Sequence, residues 1–64
     1  MSAYVVSYRR FHNSTEPTCT NLVYAESYED VSAFFDSCDW FAAEKAAEWK
    51  VKECRDKGMP ERWL

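Results

Sequence analysis

The side chains best equipped for chemistry in this chain are one histidine and three cysteines: His12, Cys19, Cys38 and Cys54. An imidazole beside a thiol can serve as base to a nucleophile, provided the two come within hydrogen-bond reach and a third group orients the ring. The same four side chains have the number and softness of donors for a tetrahedral zinc site. Their spacing supports neither use. No two cysteines stand two residues apart, and three is an odd number for a disulfide framework. Free cysteine is more simply a small buried hydrophobe. Carboxylates occur in two pairs, Glu29 with Asp30 and Asp36 with Asp39, a composition that acid–base or metal-assisted hydrolysis also uses. Helix capping and the preference for negative charge in a first helical turn account for all four. With Gly58 as its one glycine, the chain has no loop that could cradle a phosphate. An enzyme is not expected, and no residue pattern requires a cofactor or a metal.

Binding chemistry has more to draw on. Tyr4, Tyr8 and Tyr24 beside Arg9 and Arg10 could stack bases and hold phosphates, so a single-stranded nucleic-acid binder is one alternative. The distribution of charge opposes it. Residues 13–44 carry seven acidic groups and no Lys or Arg, while residues 45–64 carry six basic groups against four acidic ones, and the whole chain has net charge −3. An outward acidic surface of Glu29, Asp30, Asp36 and Asp39 could meet a basic partner, with imitation of a nucleic-acid backbone as its extreme form. Phe41, Lys45, Trp49 and Lys52 form a second candidate contact surface, because aromatic rings flanked by long cationic stems make good interface anchors.

These side chains must be positioned by one small unit. Sixty-four residues, 47% hydrophobic and 17% aromatic, are too apolar for a disordered chain and short enough that a packed core is only marginally sufficient. No apolar run approaches the ~18 residues that span a bilayer, and the first residues lack a basic start followed by an apolar stretch; a cytoplasmic protein with reduced thiols is expected.

Residues 3–11 are rich in β-branched and aromatic side chains and predict a strand whose inner face is Tyr4, Val6 and Tyr8. A polar loop with Pro17 follows over 12–20, and a second strand over 21–26 completes a hairpin. Ser27, three residues before Asp30, marks a helix start, and Val31, Phe34, Phe35 and Cys38 recur at i, i+3, i+4 and i+7 over 28–37. Trp40, Ala43, Ala47, Val51 and Cys54 form a stripe nearly opposite in phase, which predicts a turn near Ser37 to Asp39 and a separate helix over 40–57, capped by Gly58. On that helix Phe41, Lys45, Trp49 and Lys52 would share the outer side, and residues 58–64 would be a docked tail. The expected fold is α+β: a β-hairpin followed by two α-helices packed on one of its faces, a single small domain. Hairpins leave backbone groups unpaired on both outer edges, so a homodimer through a hairpin edge is also expected. The function that follows is a small acidic protein-interaction module, an adaptor or inhibitor acting on another protein, similar in size and acidity to accessory factors of phages and mobile elements.

Overall fold

The computed structural model describes residues 1–9 and 18–64. Arg10, Phe11, His12 and the rest of the expected loop up to Pro17 lie outside the described residues. Six elements follow in order: β1 (Ser2–Arg9), β2 (Cys19–Ala25), α1 (Tyr28–Phe34), β3 (Trp40–Lys45), α2 (Glu48–Asp56) and β4 (Glu61–Trp63). They make an α+β domain with one four-stranded mixed sheet in the order β3-β1-β2-β4. No helix among the described residues is long and apolar enough to cross a membrane.

β1 and β2 pair antiparallel, with Tyr4 opposite Val23 and Val6 opposite Asn21. This is the hairpin expected from the β-branched runs, although β2 begins at Cys19, inside the segment expected as loop. Alternation sends Tyr4, Val6 and Tyr8 to one face and Ala3, Val5 and Ser7 to the other. On the first face Asn21 is buried among apolar groups, and its Nδ2 donates to the Tyr8 hydroxyl at 3.3 Å. On the second, the Ser7 and Thr20 hydroxyls pair at 3.2 Å.

The expected helix over 40–57 is two elements. Residues 40–45 form β3, antiparallel to β1 with Val6 opposite Ala43 and Tyr8 opposite Phe41. A helix here would leave the outer edge of β1 with unpaired N–H and C=O groups, each costly to bury without a partner. The β3 ladder satisfies them, and Phe41 and Ala43 turn inward onto the first core. Asp39 therefore does not cap a helix: its N–H donates to the Arg9 carbonyl at 3.0 Å, and its carboxylate lies 3.9 Å from the Arg9 guanidinium. Helix α1 starts at its expected cap, with Ser27 Oγ accepting from the Asp30 N–H at 3.3 Å, and ends at Phe34, three residues early.

The expected tail is also a strand. After α2, Gly58 at φ +76° lets its own N–H reach the Arg55 carbonyl and the Met59 N–H reach the Cys54 carbonyl, closing the helix with a Schellman turn. The chain then enters β4, parallel to β2, with Tyr24 opposite Trp63. The outer edges of the hairpin are thus occupied within the chain along Tyr4–Arg9 by β3 and along Leu22–Tyr24 by β4.

Nor do the two helices share a face. β2, β3 and β4 all run parallel to one another, so β2-α1-β3 and β3-α2-β4 are both crossover units, and they traverse the sheet in opposite directions. Crossovers of one hand that run in opposite directions must place their helices on opposite sides. Accordingly Val31 and Phe35 pack with Tyr4, Val6, Tyr8 and Val23, while Cys54 and Val51 pack with Leu22, Tyr24, Ala3 and Val5 on the reverse face. Val6, Leu22, Val23 and Val31 are completely enclosed.

Candidate functional site

α2 is a nine-residue helix whose apolar packing on the sheet runs through Val51 and Cys54. At 100° per residue, Trp49 falls nearly opposite the midpoint of those two and so points away from the sheet. Its indole is 68% exposed. Two grooves flank it. One, of about 390 Å³, is lined by Val5, Glu44, Lys45, Ala46, Ala47, Trp49 and Lys50, in the crook between α2 and the end of β3. The other lies on the far side of the helix, between Glu48, Trp49, Lys52, Arg55 and Asp56, with Val51 at its base.

The charges around Trp49 divide into committed and uncommitted groups. Glu53 accepts from Lys50 Nζ at 3.2 Å and Lys57 Nζ at 3.3 Å, and these two bonds hold its carboxyl below the ordinary value. Lys50 Nζ also lies 5.9 Å from the centre of the Trp49 ring. Arg55 Nε donates to Glu61 at 2.9 Å, with its guanidinium 5.7 Å from the Tyr24 ring. The Tyr24 hydroxyl donates to the same Glu61 oxygen. That bond first, and the Arg55 bond second, lower the Glu61 pKa, whereas burial and the Glu61 carboxylate raise that of Tyr24. Lys45 and Lys52 enter no ion pair among the described residues.

Of the other three residues expected to share one helix face with Trp49, two line the grooves beside it and one does not. Lys45 closes one groove from β3, and Lys52 lines the other from α2. Phe41 is half-buried on the opposite face of the sheet, with its ring 6.1 Å from Phe35. The acidic group separates into two ends of α1: Glu29 and Asp30 are exposed in its first turn, and Asp36 and Asp39 lie in the connection to β3.

The base-stacking surface is absent as drawn from the sequence. Tyr4 and Tyr8 are 6% exposed and Tyr24 is 8% exposed, all three built into the cores; Arg10 lies outside the described residues. The cysteines do not converge either. Cys38 packs on the first core and Cys54 on the second, across the sheet from each other, while Cys19 is exposed at the start of β2.

Two exposed indoles escape the sequence reading. Trp40, expected on an inward stripe, is 47% exposed on β3, and Trp63 is 65% exposed on β4 with one ring face stacked on Tyr24 at 4.0 Å. Once residues 40–45 are recognised as a strand, alternation alone puts Trp40 on the α2 face. No protein-family model, curated protein or solved structure matches this chain.

Proposed function

We propose that this chain works without catalytic turnover, by holding another protein on the surface of α2 centred on Trp49. The observation that carries this reading is the 68% exposure of an indole between two grooves, with Lys45 and Lys52 beside it and uncommitted to any carboxylate of the described chain. The apolar packing of α2 runs through Val51 and Cys54, and Trp49 on the other side of the helix takes no part in it. Trp is the side chain most enriched among residues that dominate binding energy, and it acts best when a partner completes its desolvation. Two lysines that line the flanking grooves and enter no ion pair among the described residues favour a partner segment with an apolar side chain between carboxylates, since such charges set register and accelerate encounter.

The test replaces Trp49 by a photo-crosslinking amino acid in cells of the native host, identifies the linked protein, and measures its affinity for the purified chain. Trp49→Ala should weaken that affinity about thirtyfold, the loss corresponding to a ~2 kcal/mol anchor. The paired reversals Lys45→Glu and Lys52→Glu should slow association more than they speed dissociation. Unchanged affinity in a folded Trp49→Ala chain would remove the surface from consideration.

A further inference from the structure

The two edges of the sheet are unequal. β4 is three residues long and follows Pro60, so it offers little to pair with. β3 is six residues long and contains neither proline nor glycine, and its middle, Phe41-Ala42-Ala43, carries no charge. Its inner side is satisfied by β1. The Ala46 N–H donates to the Ala3 carbonyl, and the register then turns the N–H and C=O of Ala42 and Glu44 toward β1 as well. The same alternation turns those of Phe41, Ala43 and Lys45 outward, where no described residue meets them. Edges of this length are ordinarily blunted by a central lysine, a proline or a bulge, and β3 has none of these between Trp40 and Ala43.

We infer that two copies of this chain pair through the outer edges of β3, antiparallel about an axis at Ala42, each placing Trp40 in the groove beside the other's Trp49. The residues from Asp39 to Lys45 are self-complementary about that axis. Phe41 meets the partner's Ala43, the pair whose outward backbone groups can bond across the edge. Ala42 meets the partner's Ala42 at a position without hydrogen bonds, where Cα atoms approach to about 4.5 Å and the two side chains face each other closely. Each Lys45, which enters no ion pair among the described residues, comes alongside the partner's Asp39, a carboxylate that already faces Arg9 of its own chain. A register shift of two residues in either direction loses both of these charge pairs.

The indoles follow from the same register. Trp40, Ala42 and Glu44 share the α2 face of the sheet, so Trp40 crosses to the partner's Glu44. Glu44 is a wall of the groove formed with Val5, Ala46, Ala47, Trp49 and Lys50. Two copies would cover four indoles, 47% exposed at Trp40 and 68% at Trp49. On the scale of ~250 Å² for the largest aromatic side chains, this amounts to roughly 500–600 Å², about half the ~1,200 Å² of the smallest stable interfaces. The paired strands and the Lys45 stems supply further area. The far groove, with Lys52 and Arg55, stays open, but Trp49 and Lys45 are taken up in the dimer, so self-association competes with the partner surface proposed above and does not depend on it.

The test is the mass of the full chain in solution by sedimentation equilibrium. The wild-type chain should approach twice 7.6 kDa as its concentration rises. Ala42 is exposed, so Ala42→Glu and Ala42→Lys should each fold, with unchanged circular dichroism, yet sediment as monomers because like charges meet at the axis. Mixing the two variants should restore the dimer, since opposite charges then meet there. Trp40→Ala, at a second exposed position, should weaken the dimer at least tenfold and serves if either Ala42 substitution unfolds the chain. The proposal is overturned by a wild-type chain that stays at 7.6 kDa up to about 1 mM. It is equally overturned by a dimer indifferent to both Ala42 substitutions.

Discussion

At the scale of single residues, Glu61 is a carboxylate shared between three elements. One of its oxygens accepts from both Tyr24 and Arg55, so this carboxylate ties β2, α2 and β4 together. Its pKa is lowered from the ordinary 4.5. A carboxyl whose folded pKa lies below its unfolded one stabilises the fold fully above the unfolded value, and loses that contribution as pH falls through the folded value. The stability of the chain should therefore decline on acidification below about pH 4.5. Glu61→Gln should lower the melting temperature at neutral pH and flatten the acid limb, so that variant and wild type converge at low pH. Glu53, also lowered by Lys50 and Lys57, adds a residual slope in the same direction. The effect is modest because these ion pairs are exposed to solvent. Melting curves that run parallel from neutral to acid pH would show that the three-way contact carries no stability. Tyr24 has the opposite sign: its raised pKa makes its contribution disappear as pH climbs above the ordinary tyrosine value of 10.0.

At the scale of elements, the legible parts of the fold were those whose signals are local. β1 and β2 announce themselves by β-branched and aromatic runs, and α1 by Ser27 and the carboxylates after it. Residues 40–57 are not legible because their local signal points the wrong way. Ala42, Ala43, Ala46 and Ala47 are strong helix formers, and an alanine fits either an inward or an outward strand position without leaving a trace of alternation. What makes 40–45 a strand is the unpaired edge of β1, more than thirty residues earlier, and no window of sequence contains that information. β4, at three residues, is too short to display a period. The candidate surface inherits this division. Trp49 and Lys52 lie on α2, where the helical phase holds, whereas Phe41 belongs to β3 and so turns into the core. A peptide of residues 40–57 should therefore betray its local preference when freed from the sheet. Circular dichroism in rising trifluoroethanol should show one helix growing through residues 40–45, with amide shifts at Ala42 and Ala43 moving to helical values. Persistent extended shifts at these two alanines would mean that β3 is encoded locally after all.

For the molecule as a whole, the small size of each core decides how much every element matters. α1 buries Val31 with Phe35 just beyond it, and α2 buries Cys54 with Val51 partly covered, so neither helix alone seals its side of the sheet. The end of the chain contributes to both sides. Met59 packs on Leu22, Tyr24 and Cys54, while Leu64 reaches across to the opposite core. The backbone is tied along β2 by Leu22 N–H to the Pro60 carbonyl at 2.8 Å and Leu64 N–H to the Tyr24 carbonyl at 2.9 Å. Burying one Leu or Met side chain fully is worth about 1.5–3 kcal/mol, whereas a single core in a chain this small supplies no more than ~3–5 kcal/mol in all. Deleting residues 59–64 should therefore remove most of the net stability: it uncovers Leu22, takes the indole off Tyr24 and bares the outer edge of β2. The expected result is a chain without a cooperative thermal transition, whereas deletion of Leu64 alone should lower the transition and keep it cooperative. Should the longer deletion melt cooperatively near the temperature of the full chain, the hairpin, α1 and β3 would be a self-sufficient unit, and the parallel strand at the end an addition the fold does not need.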